Sequence, residues 1–245
     1  MEGVGGHEVV IESPDATVAL ADLSAVQVAD VFTACQTRVR DLVGDRRLRY
    51  LLVFKNHGVE AGSTIPHSHT QIIGLPVTPS TVRSELQASK AYYLEKGSCL
   101  VCDRLTAELV SGERLVAENA HAAAYTPYAG RFPFEVTITR KIHGHDFGVA
   151  REGVIKGFAE VVREVLGRLK AVLKDPPYNF AMHSAPNTES EPRPEGYWDT
   201  IKDDFHWHLE VIPQLTRVAG FEWGTGFYVN PMPPEEAAAC LRELK

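Results

Sequence analysis

An α+β fold, with antiparallel sheet and helices packed against it, is what the order of apolar patterns predicts. Residues 134–139 alternate apolar and polar with period two, the mark of a half-buried strand. Residues 152–173 put Val154, Ile155, Phe158, Val161, Val162, Val165, Leu166, Leu169, Val172 and Leu173 on one stripe at helical spacing. The order strand, helix, strand, His-x-His strand then occurs twice along the chain. It predicts two units, 1–95 and 96–245, related by element order rather than by identity, the first truncated at its N-terminus.

Taken in order, Val9-Val10-Ile11 reads as a strand stopped by Ser13-Pro14-Asp15. Ser24 can cap a helix to about Val43, with Val26, Val28, Val31, Phe32 and Val39 apolar. Residues 49–54 form a second strand, turned by Asn56-His57-Gly58. A Gly/Ser/Thr/Pro loop at 62–66 leads into the strand of His67-Ser68-His69-Thr70-Gln71. Pro79-Ser80 opens a helix to about Leu94. Cys99 and Cys102 open the second half; residues 115–117 and 122–125 are strand-like. After the long helix come strands at 178–183 and 206–212 and a last helix from Pro233-Pro234, with prolines in its first turn. The stretch 221–228, rich in aromatic residues and glycine, reads equally as a turn or as a ligand- or partner-facing loop.

The 245 residues are 44% hydrophobic and 23% charged, ordinary for a soluble globular chain. A net charge of −7 argues against a nucleic-acid partner, because phosphate backbones reward basic surfaces. No apolar run reaches the ~20 residues of a membrane span. Met1 to Gly6 lacks the blocks of a signal peptide, so a cytoplasmic location is expected.

Side chains at i, i+2 and i+4 of a strand share a face, so His67, His69 and Gln71 point the same way. Two imidazoles and an amide make a poor core and a good phosphate-attacking site. A histidine whose second ring nitrogen is held by a carbonyl is a strong nucleophile, and its phosphoramidate is labile enough to pass the group on. Gln71 cannot protonate a leaving group, but it can donate to phosphoryl oxygens; it thus favours transfer between phosphorylated partners over hydrolysis. Gly62, Ser63 and Thr64 add backbone and hydroxyl donors. The plain alternative is a polar strand edge with satisfied histidines.

Cys99 and Cys102, with two histidines from His143, His183, His206 and His208, can make a four-coordinate zinc site that staples a loop to a sheet. A redox pair or two buried thiols are the alternatives. Glu85 reads as an exposed helix glutamate, and Cys35 and Cys240 as small buried residues. His7, His57, His121 and His145 show no partner in the sequence.

The run Phe54-Lys55-Asn56-His57-Gly58 through Pro66-His67-Ser68-His69-Thr70-Gln71 resembles the signature of the galactose-1-phosphate uridylyltransferase family, the transferase branch of the histidine-triad superfamily. Residues 131–135, Met182-His183-Ser184-Ala185-Pro186 and His206-Trp207-His208 fit its second half. Leu75-Pro76-Val77, Asp175-Pro176-Pro177-Tyr178-Asn179 and the 221–231 stretch are closer to the ADP-glucose phosphorylase subgroup. The resemblance implies two histidine-triad-like repeats and nucleotidyl transfer from a nucleotide sugar to a sugar phosphate, or to phosphate. It gives His69 as nucleophile and Gln71 on the phosphoryl oxygens, with Asn56, Ser63, Thr64 and His67 binding substrate. It implies structural zinc on Cys99, Cys102, His143 and His206, and a homodimer whose 217–228 stretch reaches a neighbouring site. In the uridylyltransferases a different metal site matches Glu85, His183, His206 and His208. Family members begin with earlier strands that build much of the nucleoside pocket, and these have no counterpart here. Ala16 follows Ser13-Pro14-Asp15 where the family carries a histidine ligand, so no metal is expected on His67.

Overall fold

The structure is a computed structural model that describes residues 4–192 and 198–243. One antiparallel sheet of eight strands runs through it: β1 (Gly6–Ile11), β2 (Tyr50–His57), β3 (His69–Leu75), β4 (Leu115–Glu118), β5 (Ala122–Tyr125), β6 (Val136–Arg140), β7 (Tyr178–His183) and β8 (His208–Pro213). Their spatial order is β1-β3-β2-β7-β8-β6-β5-β4. The helices are α1 (Ala25–Val43), α2 (Ser80–Lys96), α3 (Leu100–Ser111), α4 (Glu152–Leu173), α5 (Ile201–Asp204), α6 (Gly220–Thr225) and α7 (Pro234–Arg242).

Alternation along the strands sorts the two faces of the sheet. Val53, Ile72, Phe180, Met182, Leu209, Val211 and Ile138 join the main core with Phe32 of α1 and Phe158, Val162 and Leu166 of α4. On the opposite face α2 covers only one region, through Tyr50, Val82, Leu86 and Phe205, and α3 another, through Leu105, Ala123 and Tyr125.

Helix α1 starts as expected. Ser24 accepts from the Gln27 N–H and Gln27 Oε1 accepts from the Ser24 N–H, a capping box that contributes about 1 kcal/mol. Helix α4 stops at Lys174, whose left-handed φ of 59° is followed by 58° at Asp175 and then by two prolines.

The register has a local twofold relation between β2 and β7. Phe54 pairs with Gln71, Ala181 pairs with Glu210, and Phe54 and Ala181 pair with each other. In this relation His69 corresponds to His208, Gln71 to Glu210, Lys55 to Met182 and Asn56 to His183.

Several expectations need correction. Residues Asn56 and His57 continue β2 rather than turning it, because both pair across to β7. Strands β3 and β8 begin at His69 and His208, so His67 and His206 sit just before them. Cys99 caps a helix, α3, that the apolar pattern did not predict. The 221–228 stretch is neither turn nor plain loop in its first part but the short helix α6. Cys240 is exposed on α7, while Cys35 is fully buried as expected.

Candidate active site

His69 is placed by its own strand start. Its Nδ1–H donates to the carbonyl of His67 at 2.7 Å. That bond fixes the tautomer and leaves Nε2 with the lone pair. The ring, 4% exposed, lines a pocket of about 500 Å³. Asn56, Ser63 and Thr64 line the same pocket, with the 16–19 and 57–60 segments and, further out, Lys170 and Asp175.

The loop between β2 and β3 is shaped by Gly58 and Gly62, at φ 83° and 88°, where any Cβ would be strained. The Ser63 N–H donates to the Gly58 carbonyl at 3.1 Å and closes it. Asn179 of β7 holds the loop from below: its Nδ2 donates to Asn56 Oδ1 and to the Ala61 carbonyl, both at 2.8 Å. Ser63 and Thr64 therefore sit on a loop tied to a central strand.

His67 and Gln71 are not in this pocket wall. The His67 Nε2–H donates to the Ser13 carbonyl at 2.6 Å, and Gln71 Oε1 accepts from His7 Nε2 at 2.9 Å. His7 thus has a partner, as does His57, which donates to Asp175 at 3.3 Å and stacks on Tyr178.

On the second half, Cys99, Cys102, His143 and His206 bring one donor atom each within 4.8 Å of all the others. Cys102 Sγ lies 3.3 Å from Nδ1 of both His143 and His206. Zinc bonds of about 2.3 Å to sulfur and 2.0 Å to nitrogen in a tetrahedron give S···N edges of roughly 3.5 Å, so the set fits zinc. The other nitrogen of His143 donates to the Lys202 carbonyl at 2.9 Å, which turns Nδ1 towards the thiols. The Cys99 thiol is pulled far below its ordinary value, first by the hydrogen bond from Cys102 and then by those from His143 and His206. A thiolate in this cluster is what a cation requires.

Glu85, His183 and His208 form a separate group. Glu85 accepts from His183 Nδ1 at 2.7 Å and lies 3.3 Å from His208 Nε2. Glu85 is therefore no exposed helix glutamate, a correction that needed the α2-to-sheet packing. Burial works to raise its carboxyl, but His208 and His183 outweigh that and the net shift is down. His183 is opposed by burial and carried upward by Glu85.

Residues 2–79 match the family profile described as galactose-1-phosphate uridyl transferase, N-terminal domain. A galactose-1-phosphate uridylyltransferase of Thermotoga maritima is 32% identical over 251 residues, covering all of this chain and 76% of that protein. The chain belongs to the galactose-1-phosphate uridylyltransferase family.

An ADP-glucose phosphorylase of Arabidopsis thaliana is 35% identical over 242 residues, covering 99% of this chain. The chain spans 65% of that relative's length. A crystal structure of an ADP-glucose phosphorylase from Arabidopsis thaliana with bound ADP-glucose superposes with a TM-score of 0.89 at 34% identity, over 99% of this chain and 74% of that one. Both matches accord with an α+β fold of antiparallel sheet and helices. Among the described residues no helix is long and apolar enough to cross a membrane.

Of the residues implied by the resemblance to the uridylyltransferase family, the fold gathers His69, Asn56, Ser63 and Thr64 at one pocket and the two cysteines with His143 and His206 at another site. His206 fits both family metal patterns by sequence; the fold groups it with the cysteines and leaves Glu85, His183 and His208 as their own set. Sequence reasoning missed Asn179 as the support of the loop between β2 and β3. Its only signal was a place in the phosphorylase-like Asp175-to-Asn179 run.

Proposed function

We propose that this chain moves a nucleoside monophosphate from a nucleotide sugar to a phosphorylated acceptor through a covalent intermediate on His69. The observation that carries the reading is the Nδ1–H bond to the His67 carbonyl, which leaves a basic Nε2 at the wall of the pocket. Nε2 attacks the phosphorus next to the nucleoside. The P–O bond to the sugar phosphate breaks, and the sugar 1-phosphate leaves as an anion that needs no proton. An incoming phosphate oxygen then attacks the same phosphorus and the P–N bond breaks. Asn56, Ser63 and Thr64 supply donors to the phosphoryl oxygens, and Gln71 would join them by turning from His7. His67 shapes the substrate side through its tie to the 13–16 turn.

The acceptor is either a hexose 1-phosphate, as in the uridylyltransferases, or inorganic phosphate, as for a phosphorylase. The similarity to an ADP-glucose phosphorylase supports the second as strongly as the first. Cys99, Cys102, His143 and His206 would hold a structural zinc, since four protein ligands leave no position for substrate. The register relation supports two histidine-triad-like units, 1–95 and 96–245, sharing one sheet. Exposed Phe221, Trp223, Phe227 and Tyr228 are suited to a second subunit, as in a homodimer.

The test is intact-mass measurement after incubation with UDP-glucose or ADP-glucose. A UMP or AMP adduct that vanishes in His69→Ala establishes the transfer and names the base. Folded protein that gives no adduct with either sugar makes the chain a non-catalytic, zinc-stapled binding or scaffold protein instead.

A further inference from the structure

The helix-facing side of the two corresponding strand pairs differs in one respect. Beneath His208 it is apolar: Trp207 and Leu209 flank the histidine and Met182 stands on β7, all at most 1% exposed. Beneath His69 it is polar and charged. Ser68 and Thr70 flank the histidine, and Lys55 occupies the position that corresponds to Met182.

Lys55 is 1% exposed, so its ammonium relies on protein groups for its hydrogen bonds. Its Nζ donates to Glu12 at 2.9 Å, to Ser68 Oγ at 2.9 Å and to the main-chain carbonyl of His69 at 3.1 Å. Glu12, on the segment after β1, accepts in turn from Ser68 Oγ at 2.5 Å and from Thr70 Oγ1 at 2.6 Å. Three consecutive residues centred on His69 thus hang on one buried ion pair. Every donor and acceptor of the pair that can be used is used.

A buried ion pair is a poor source of stability, because desolvation offsets most of its Coulomb energy, and an apolar replacement of like volume is often neutral or better. The other half of this sheet carries such a replacement, Met182, in the matching place. Stability alone does not account for the pair, and it touches the backbone of the proposed nucleophile.

We propose that Lys55 and Glu12 are positioning residues for His69, holding its carbonyl and its two neighbours so that the Nδ1–H to His67 bond and the direction of Nε2 are fixed. This rests on the transfer reading for its consequence on rate, but not for its consequence on the ring. Lys55 lines the His69 pocket, but its Nζ is taken up by Glu12, Ser68 and the His69 carbonyl, so the pair is argued to act through the His69 backbone.

The experiment compares the wild-type full chain with Lys55→Met and with the double variant Glu12→Gln/Lys55→Met, which removes both charges. Three quantities are read: thermal midpoint, the His69 tautomer from long-range 1H–15N spectra assigned against His69→Ala, and the rate of nucleotidyl adduct formation against nucleotide-sugar concentration. Wild type is expected to hold His69 in a single neutral tautomer with the proton on Nδ1. Lys55→Met is expected to average the two tautomers and to lose about 100-fold in maximal rate with half-saturation changed less than about threefold, the signature of a misaimed group rather than of weakened binding. The double variant is expected to regain the thermal midpoint and neither of the other two. Folded Lys55→Met with a single Nδ1–H tautomer overturns the proposal, and so does a double variant that regains rate together with stability. Wild type without any adduct overturns the transfer reading alone, and the tautomer measurement still decides the role of Lys55.

Discussion

His69 on β3 and His208 on β8 make the same local bond. Each donates Nδ1–H to the carbonyl two residues earlier, at 2.7 Å and 3.0 Å. Both rings therefore present Nε2 away from the strand start, and both strands sit at corresponding places in the sheet. Their surroundings part company from there. Nε2 of His69 belongs to a pocket wall with Asn56, Ser63 and Thr64. Nε2 of His208 lies 3.3 Å from Glu85, beside His183. The residue two before each strand start diverges too: His67 donates to a carbonyl at Ser13, whereas His206 turns Nδ1 to Cys102. One backbone device thus prepares a basic nitrogen twice. What faces that nitrogen is an open pocket in one case and a carboxylate in the other, and the proposed transfer assigns the attack to the first.

The comparison breaks first, and with the largest effect, at the two histidines themselves. His69→Ala is expected to lower adduct formation by at least about 1,000-fold, while His208→Ala leaves it within about tenfold, read by intact mass. Equal losses in both would mean that the strands do not differ in role. Next comes the site before β8. Cys99→Ala is expected to release bound zinc, seen by metal analysis, and to lower the thermal midpoint, whereas His67→Ala leaves zinc content unchanged. Unchanged zinc in Cys99→Ala would remove the cysteine cluster from the reading.

A smaller effect is expected from importing the β8 residue into β3. Gln71→Glu places a carboxylate where Glu210 stands in the other strand. Repulsion of the phosphoryl oxygens should slow adduct formation about 10- to 100-fold, with the loss reduced at high salt. The smallest effect lies in pH. Glu85 titrates below its ordinary 4.5, so its contribution is present above that value and is lost as pH falls through the lowered one. His183 titrates above its ordinary 6.5, so its contribution is full below that value and is lost as pH rises through the raised one. In chelator-treated protein the advantage of wild type over Glu85→Gln should peak between pH 4.5 and 6.5, at about 1–2 kcal/mol, and shrink above it. A pH-independent difference in thermal midpoint would show that the pair does not carry the shifts.

Much of this was legible in the sequence because it is local. The long amphipathic stripe of α4 and the Ser24 cap depend on neighbours within a turn and stand where the spacing put them. The period-two run at 134–139 does give a strand, but it starts only at Val136, after Phe134 at φ 59°. It is buried on both faces because β5 and β8 flank it and helices cover it. The nucleophile motif is local as well, since the His69-to-His67 bond spans two residues. Helix α3 was missed because its cap is Cys99, a residue read for its chemistry rather than for its backbone. Glu85 was misread because an amphipathic pattern tells which face of α2 is apolar and not what lies across the gap.

The sequence by itself determined the fold class, the order of the strands and of the long helices α1, α2, α4 and α7, and the residue types able to attack a phosphate or hold zinc. Only the tertiary structure divided the later histidines between two groups, since Cys102 lies 41 residues from His143 and 104 from His206. Only it revealed that Lys55, 43 residues from Glu12, is buried with it under His69. The physical reason is the same in each case. Spacing along a strand or helix fixes which side chains share a face, but which faces meet is set by strand register and by the packing of helices across the whole sheet.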